Sequence, residues 1–221
     1  DLLRQRTKGR CMMRTLYVIM VLCTLGCASP PDVAEHQLAQ TEVPGTTVQR
    51  PDDPGSAYAA LLASPTSGAA QRDWFKAFPA DHAELRQLFG FEEVTPDSVV
   101  FGPYYEQGDP MITAFFNLDS VPVEQVAGKA IGIAMNGVWQ EDGVGLFQFH
   151  LTRHFATWTG TYLRLLDALP AAEQAGFWRF YTDGPEAYPA DDKAQLRSQL
   201  SKNARQLVVV DSVLKLPRPE H

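Results

Sequence analysis

Two histidines, His150 and His154, stand four residues apart where apolar residues recur every three or four positions. On a helix this spacing puts both imidazoles on one face, where two histidines can bind one metal ion. Leu151 occupies the position at which zinc proteases with this spacing carry a glutamate base, so that mechanism would lack its proton acceptor. A third ligand would have to come from a residue such as Glu141, Asp142 or His82. Two boundary histidines that make ordinary hydrogen bonds need no further ligand, and we favour that interpretation over a metal-dependent hydrolase.

Acidic residues stand side by side at Glu92-Glu93, Glu141-Asp142 and Asp191-Asp192. Glycosidase chemistry needs two carboxyl groups that face each other across a cleft, and neighbours in sequence do not provide this. At positions 141–142 and 191–192 the charge is better explained by the start of a helix, where it favours the macrodipole. The sequence also lacks a nucleophile elbow, a phosphate-binding glycine loop, a CxxC pair and a calcium loop. We therefore expect no catalytic residues and no cofactor.

The three cysteines are Cys11, Cys23 and Cys27. Arg14 precedes an apolar stretch at 16–25 that has the length of a signal-peptide core and is too short to span a bilayer. The sequence Thr24-Leu25-Gly26-Cys27 resembles the lipobox of bacterial lipoproteins, although Thr24 and Leu25 are transposed relative to the usual pattern. The resemblance implies that the thiol of Cys27 carries the lipid and that Cys27 becomes the new N-terminus. An ordinary signal peptide and an uncleaved anchor are the alternatives.

The expected organisation has three parts. Residues 1–26 are an upstream remnant with a signal peptide, whose natural start is Met12 or Met13, and residues 27–56 are a lipidated tether rich in proline. Residues 57–221 form the globular domain. Because Ala28 is not aspartate, the resemblance implies a cell-envelope protein at the outer membrane, facing the periplasm in a Gram-negative cell.

The sign of the net charge changes at the expected cleavage site before Cys27. Residues 1–26 hold five basic residues and one acidic residue, so the rest of the −7 chain carries −11. An acidic domain repels nucleic acid and anionic lipid surfaces, so we expect the lipid anchor to be its contact with the membrane and a protein to be its partner. No cysteine remains after Cys27, so the domain has no disulfide.

The apolar spacing in residues 57–221 predicts a mainly α, single helical domain with a few short strands. Its longest element is a central amphipathic helix over 141–169, which Leu146 and Phe149 should make apolar all round in its first half. Shorter helices are predicted at 71–89 with a corner at Pro79, and at 110–118, 122–133, 170–181 and 192–208. Asp192 and Gln195 resemble a capping box, and residues 207–210 form either the end of the last helix or a strand. An extended piece is predicted at 99–101, within a loop over 94–109.

Aromatic residues are dense between positions 139 and 181, and any that remain exposed would mark a protein-binding or glycan-binding patch. The segments 73–79, 88–91, 137–144 with Gln148, and 177–185 resemble, in that order, a family of uncharacterised bacterial proteins, many of them lipoproteins. Some members resemble immunity proteins that neutralise a neighbour's toxin. The resemblance implies a membrane-tethered, non-enzymatic protein-binding domain. The alternatives are the metal-dependent hydrolase and a cell-envelope structural or glycan-binding lipoprotein.

Overall fold

The computed structural model describes residues 53–95, 98–141, 143–184 and 190–217, and the side chains of all of these except 190–193. The signal peptide, Cys27 and nearly all of the expected tether lie outside the described residues. Within them the chain is mainly helical with one small hairpin, as expected. The helices are α1 (Pro54–Ala63), α2 (Gly68–Ala77), α3 (His82–Phe89), α4 (Gly108–Phe116), α5 (Val123–Ala134), α6 (Gly143–Thr157), α7 (Thr159–Asp167), α8 (Ala171–Tyr181), α9 (Ala190–Leu200) and α10 (Ala204–Val213). The strands are β1 (Phe91–Thr95) and β2 (Ser98–Phe101), and a 3-10 turn covers Tyr105–Gln107.

Several helix boundaries lie where the local chemistry predicts them. The corner at Pro79 separates α2 from α3, and Gly90 caps the end of α3. Pro122 and Pro170 stand directly before α5 and α8, where a missing amide hydrogen costs nothing. The first described helix, α1, starts at Pro54, and the Asp53 carboxylate before it accepts a hydrogen bond from Ser56 N at 2.9 Å.

The expected single helix over 141–169 is wrong, because the chain leaves helical geometry at Trp158 and divides into α6 and α7. The Thr159 hydroxyl donates to the Phe155 carbonyl at 2.9 Å and so takes the place of a helical amide. Beyond the break, the Tyr162 hydroxyl lies 2.9 Å from His154 Nδ1. Residues eight apart on a straight helix would be separated by about 12 Å along its axis. The break therefore turns α7 back against α6.

Two further expectations are corrected. The helix predicted over 192–208 is two helices, because the side chain of Asn203 accepts from Gln206 N at 3.1 Å and starts α10. Residues 207–210 lie inside α10 and are not a strand, and Asp192 lies inside α9 and not at a cap. The first half of α6 is not buried all round, since Phe149 is exposed and Leu146 only half-buried.

The core consists largely of aromatic rings. Phe78 and Phe115 stack with centroids 4.0 Å apart, and Phe147 links this pair to Phe180 on α8. A second group surrounds the fully buried Trp178. It consists of Phe155, Tyr162, Phe177 and Tyr181. Edge-to-face and offset rings add to the stabilisation from burial alone, so these groups join α2, α4, α6, α7 and α8 into one core.

Candidate functional site

The two histidines of α6 are held by different neighbours. His150 Nε2 lies 3.1 Å from Thr113 Oγ1 and 3.2 Å from Asp109 Oδ1, both on α4. His154 Nδ1 meets the Tyr162 hydroxyl on α7, and burial lowers the pKa of His154 to about 4. His154 is therefore a neutral ring at physiological pH, packed inside the joint between α6 and α7.

The described residues bring no third ligand to these histidines. His82 Nε2 contacts the Val138 carbonyl at 3.1 Å, Glu141 is exposed, and Asp142 lies outside the description. No group of three or more His, Cys, Asp or Glu residues in the described ranges is placed to hold a metal ion. Thr113, His150 and Asp109 do not form a nucleophile relay either, because both partners contact the same ring nitrogen and a relay uses two.

The acidic pairs are equally separate. Glu92 and Glu93 are exposed on β1 and, as neighbours on a strand, point to opposite faces of the hairpin. Asp191 and Asp192 lie within α9, which begins at Ala190. Of the acidic side chains that the structure describes in these pairs, Glu92, Glu93 and Glu141 are all exposed to solvent.

Two of the segments that carry the family resemblance, 137–144 with Gln148 and 177–185, meet where α6 packs beside the end of α8. The Asp183 carboxylate accepts from Trp139 N at 3.1 Å and from Gly184 N at 3.0 Å. The Gln148 amide donates to the carbonyls of Phe180 and Asp183. These bonds are directed at main-chain atoms, so the residues fix the path of the backbone, and Asp183 also borders a small pocket with Arg179 and Leu214.

Most of the aromatic cluster between 139 and 181 is core. Phe147, Phe155, Phe177, Trp178, Phe180 and Tyr181 are buried. Phe149 and Trp158 are exposed, on two separate parts of the α6–α7 segment. The Arg153 guanidinium lies 5.5 Å from the Phe149 ring centroid and covers part of it. Exposed aromatic surface therefore exists here, but as single side chains.

The larger exposed apolar surface is the hairpin, which we call the β1–β2 surface and define by Val94, Val99, Val100 and Phe101. These side chains are 61%, 42%, 57% and 56% exposed, and no residue of either strand is buried. Isolated two-stranded hairpins are marginal in water, and contiguous exposed apolar surface commonly marks a binding site. The apolar spacing in the sequence gives no sign of this surface beyond the extended piece predicted at 99–101.

Two glycines fix where the hairpin stands. Gly102 N donates to Gly90 O at 2.8 Å, and both residues lie against α3. A Cβ on Gly102 would approach the Leu88 carbonyl oxygen to 2.5 Å, and one on Gly90 would approach the Arg86 carbonyl oxygen to 2.7 Å. Only glycine allows this close approach. These contacts hold the hairpin close to the end of α3.

A groove of about 410 Å³ runs between the hairpin and α3. Ala83, Arg86 and Gln87 form the helix side, and Glu92, Val100 and Phe101 form the hairpin side. The lining combines apolar side chains with one cation, Arg86, and one carboxylate, Glu92. We take the β1–β2 surface and this groove as the candidate site.

In the part of the chain that the structure describes, no helix combines the length and apolar character needed to cross a membrane. Comparison of the chain with protein-family models, with curated proteins and with solved structures gave no match in any of the three.

Proposed function

We propose that this chain is a lipid-anchored protein of the bacterial cell envelope whose helical domain binds another protein through the β1–β2 surface, without catalysis. The observation that carries the binding part is the exposed apolar hairpin beside an open groove. Covering Val99, Val100 and Phe101 with a partner would remove their apolar area from water, worth about 25 cal/mol per Å² before the costs of association. The anchor rests on the lipobox-like sequence ending at Cys27.

The acidic charge of the domain indicates the kind of partner. Residues 57–221 hold 20 acidic and 13 basic residues, a net charge of −7, so the domain attracts basic proteins, and Glu92 and Glu93 place acidic groups on the hairpin itself. Complementary charge of this kind raises the rate of association more than the final affinity. A toxin delivered by a neighbouring cell, the target that the family resemblance implies, is the partner class we favour.

The two alternatives have less support from the described geometry. A metal-dependent hydrolase would use His150 and His154, whose ring nitrogens contact Asp109, Thr113 and Tyr162. Metal analysis of the purified protein and of the double His150→Ala, His154→Ala variant tests it, since bound zinc lost in the variant would favour the hydrolase. A structural or glycan-binding role would use the exposed Trp158 and Phe149, and binding to purified cell wall tests it.

Site-specific photo-crosslinking in living cells tests the binding surface. A photoreactive residue at Val100 should give a defined covalent adduct with another protein. The same residue at Val208, an equally exposed valine on α10, is the matched control and should give none. Adducts at Val208 with none at Val100 would place binding elsewhere and overturn the proposal.

Membrane fractionation tests the anchor. Cys27→Ser should release the chain into the soluble fraction, because it removes the acceptor for the lipid. Cys23→Ser, four residues earlier, is the matched control and should leave the chain in the membrane. A Cys27→Ser protein that stays in the membrane with unchanged mobility would contradict lipidation.

A further inference from the structure

The two edges of the hairpin differ in charge and in regularity, and these properties decide whether an edge can pair with another strand. β1 carries Glu92 and Glu93 and is interrupted by a register shift between Glu93 and Thr95, and both features discourage strand addition. β2 reads Ser98-Val99-Val100-Phe101, with no charge, no proline and no shift, and all four residues are exposed. The β2 edge is thus the unprotected one.

The register shows which backbone groups reach that edge. The bond from Gly102 N to Gly90 O, together with the pairing of Phe91 with Phe101, makes Glu92 and Val100 a hydrogen-bonded pair. Hydrogen-bonded and non-hydrogen-bonded pairs alternate in an antiparallel ladder. The N–H and C=O groups of Val99 and Phe101 therefore point away from β1, toward the open edge.

We infer that this edge pairs with the β2 strand of a second copy of the chain, forming an antiparallel four-stranded sheet in the order β1-β2-β2-β1. In the register that matches the outward groups, Val99 lies opposite the Phe101 of the other copy, and Val100 lies opposite its own counterpart. The arrangement is two-fold symmetric, as an isologous interface requires. Each Val99–Phe101 pair is of the β-branched and aromatic kind that stabilises adjacent strands.

The charges and the exposure of the hairpin side chains favour a second copy of the chain as the partner of this edge. The pairing brings only apolar side chains and Ser98 together, while Glu92 and Glu93 of both copies stay on the outer strands, about three strand spacings apart. Four strands also supply what a two-stranded hairpin lacks for independent stability. Because Val100 and its counterpart lie on one face, both α3 grooves open on that same face and remain accessible to a further partner.

The interface is small. Four residues from each copy bury far less than the roughly 800 Å² per partner of a standard interface, so the free protein in dilute solution should be largely monomeric. The inference rests on the proposed function at this point, since a shared membrane anchor raises the effective concentration of the copies toward the millimolar range of short linkers.

Cysteine crosslinking of the full chain in native membranes tests the pairing and its register. Val100→Cys should form a disulfide-linked dimer on mild oxidation, because opposed residues at a non-hydrogen-bonded pair lie about 4.5 Å apart at Cα. Val94→Cys is the matched control on β1 and should form no more dimer than the wild-type chain, which sets the background from any native cysteine that remains reactive. We expect at least a several-fold excess for Val100→Cys.

The register is checked by two differently tagged variants. Val99→Cys and Phe101→Cys, expressed together, should crosslink to each other, whereas each alone should not, since its own counterpart lies diagonally at about 7–8 Å. Background-level dimer at Val100, or a Val99→Cys dimer without one at Val100, overturns the inference. If photo-crosslinking at Val100 still captures a different protein in that case, the proposed function stands without the self-pairing; if it captures nothing, both fail.

Discussion

His154 shows how one side chain links the fold to pH. Burial lowers its pKa from 6.5 to about 4, and its Nδ1 meets the Tyr162 hydroxyl, whose own pKa is raised by burial. Above about pH 6.5 the ring is neutral in both the folded and the unfolded chain, and its packing contributes fully to stability. As pH falls toward 4, the unfolded chain takes up a proton that the folded one does not.

We therefore expect the free energy of unfolding to decrease as pH falls from 7 to 5. His154→Gln, whose amide can still meet the Tyr162 hydroxyl, should lose less stability over this interval in urea titrations. His82, whose pKa is also lowered by burial, retains a smaller dependence of the same sign. The lowered pKa values of Asp53 and Asp119 affect only more acidic solutions. Parallel pH profiles for the variant and the wild type would show that His154 is not the group responsible.

Gln206 is fully buried and holds three helices together. Its Oε1 accepts from Trp178 Nε1 at 2.7 Å, and its Nε2 donates to Gln174 Oε1 and to Asp167 Oδ1. Such a network stabilises a core only while each member keeps its partners.

Gln206→Leu keeps the volume but leaves the indole N–H and the Gln174 oxygen without these partners. Each buried group left unsatisfied costs about 1–3 kcal/mol, so we expect a loss of at least about 2 kcal/mol in chemical denaturation. Gln125→Leu, at an exposed position of α5, is the control and should change stability by less than about 0.5 kcal/mol. Equal, small effects of both substitutions would refute a stabilising role for the network.

At the scale of elements, apolar spacing and prolines predicted α2 to α5 and α8, because each of these helices buries an apolar stripe. Pro79 follows the end of α2, and Pro122 and Pro170 stand directly before α5 and α8. The same rule fails at Trp158, where the 3–4 spacing continues through a break. The break is marked by local side-chain hydrogen bonds, which apolar spacing does not reveal, since Thr157 and Thr159 each bond a carbonyl four residues back. In the same way, the cap residue Asn203 marks the start of α10.

The hairpin was predicted only in its second strand, and its exposure was not predicted at all. The sequence alone does not tell whether apolar residues are buried or exposed, and this applies to Val94, Val99, Val100 and Phe101. Their exposure depends on where Gly90 and Gly102 place the hairpin against α3, which is a long-range packing result. The histidine pair was located correctly on one helix, but its partners on α4 and α7 depend on tertiary contacts in the same way.

Alanine substitutions at two glycines inside helices are expected to change the free energy of unfolding in opposite directions. A Cβ at Gly128 in α5 meets nothing within 4 Å, whereas a Cβ at Gly176 in α8 would lie 2.1 Å from the Met135 carbonyl oxygen. Gly128→Ala should raise the free energy of unfolding by about 0.5–1 kcal/mol through helix propensity. Gly176→Ala should lower it by about 1–3 kcal/mol, because helices α5 and α8 would have to separate. Thermal denaturation of both variants checks the pair, and two shifts of the same sign would contradict this account of the packing.

At the scale of the whole molecule, Tyr104 ties the first helix to the hairpin region. Its hydroxyl donates to Asp53 Oδ1 at 3.0 Å and accepts from Gly55 N at 3.1 Å, while its ring packs on Phe89. The next residue, Tyr105, packs against Phe101 of β2 with the two rings tilted and their centroids 4.5 Å apart. The beginning of the described chain and the proposed docking edge are therefore connected through two adjacent tyrosines.

Tyr104→Phe removes both hydrogen bonds and keeps the ring. We expect faster amide hydrogen exchange across α1, with exchange in α6 and α8 unchanged, because local opening of α1 no longer breaks these bonds. Tyr105→Phe is the matched control and should leave α1 as it is. Uniform exchange rates in α1 for all three proteins would show that Tyr104 does not hold the helix.

The attachment at Asp53 also has a mechanical consequence. Any tension that reaches the domain through residue 53 is applied at the N-cap of α1, where the Tyr104 hydroxyl bridges Asp53 and Gly55. The two bonds would be loaded together, and the force would pass into the Phe89 side of the core before it could unwind α1 from its end. A domain that is pulled through residue 53 while bound to a partner would then keep its first helix docked until this bridge ruptures.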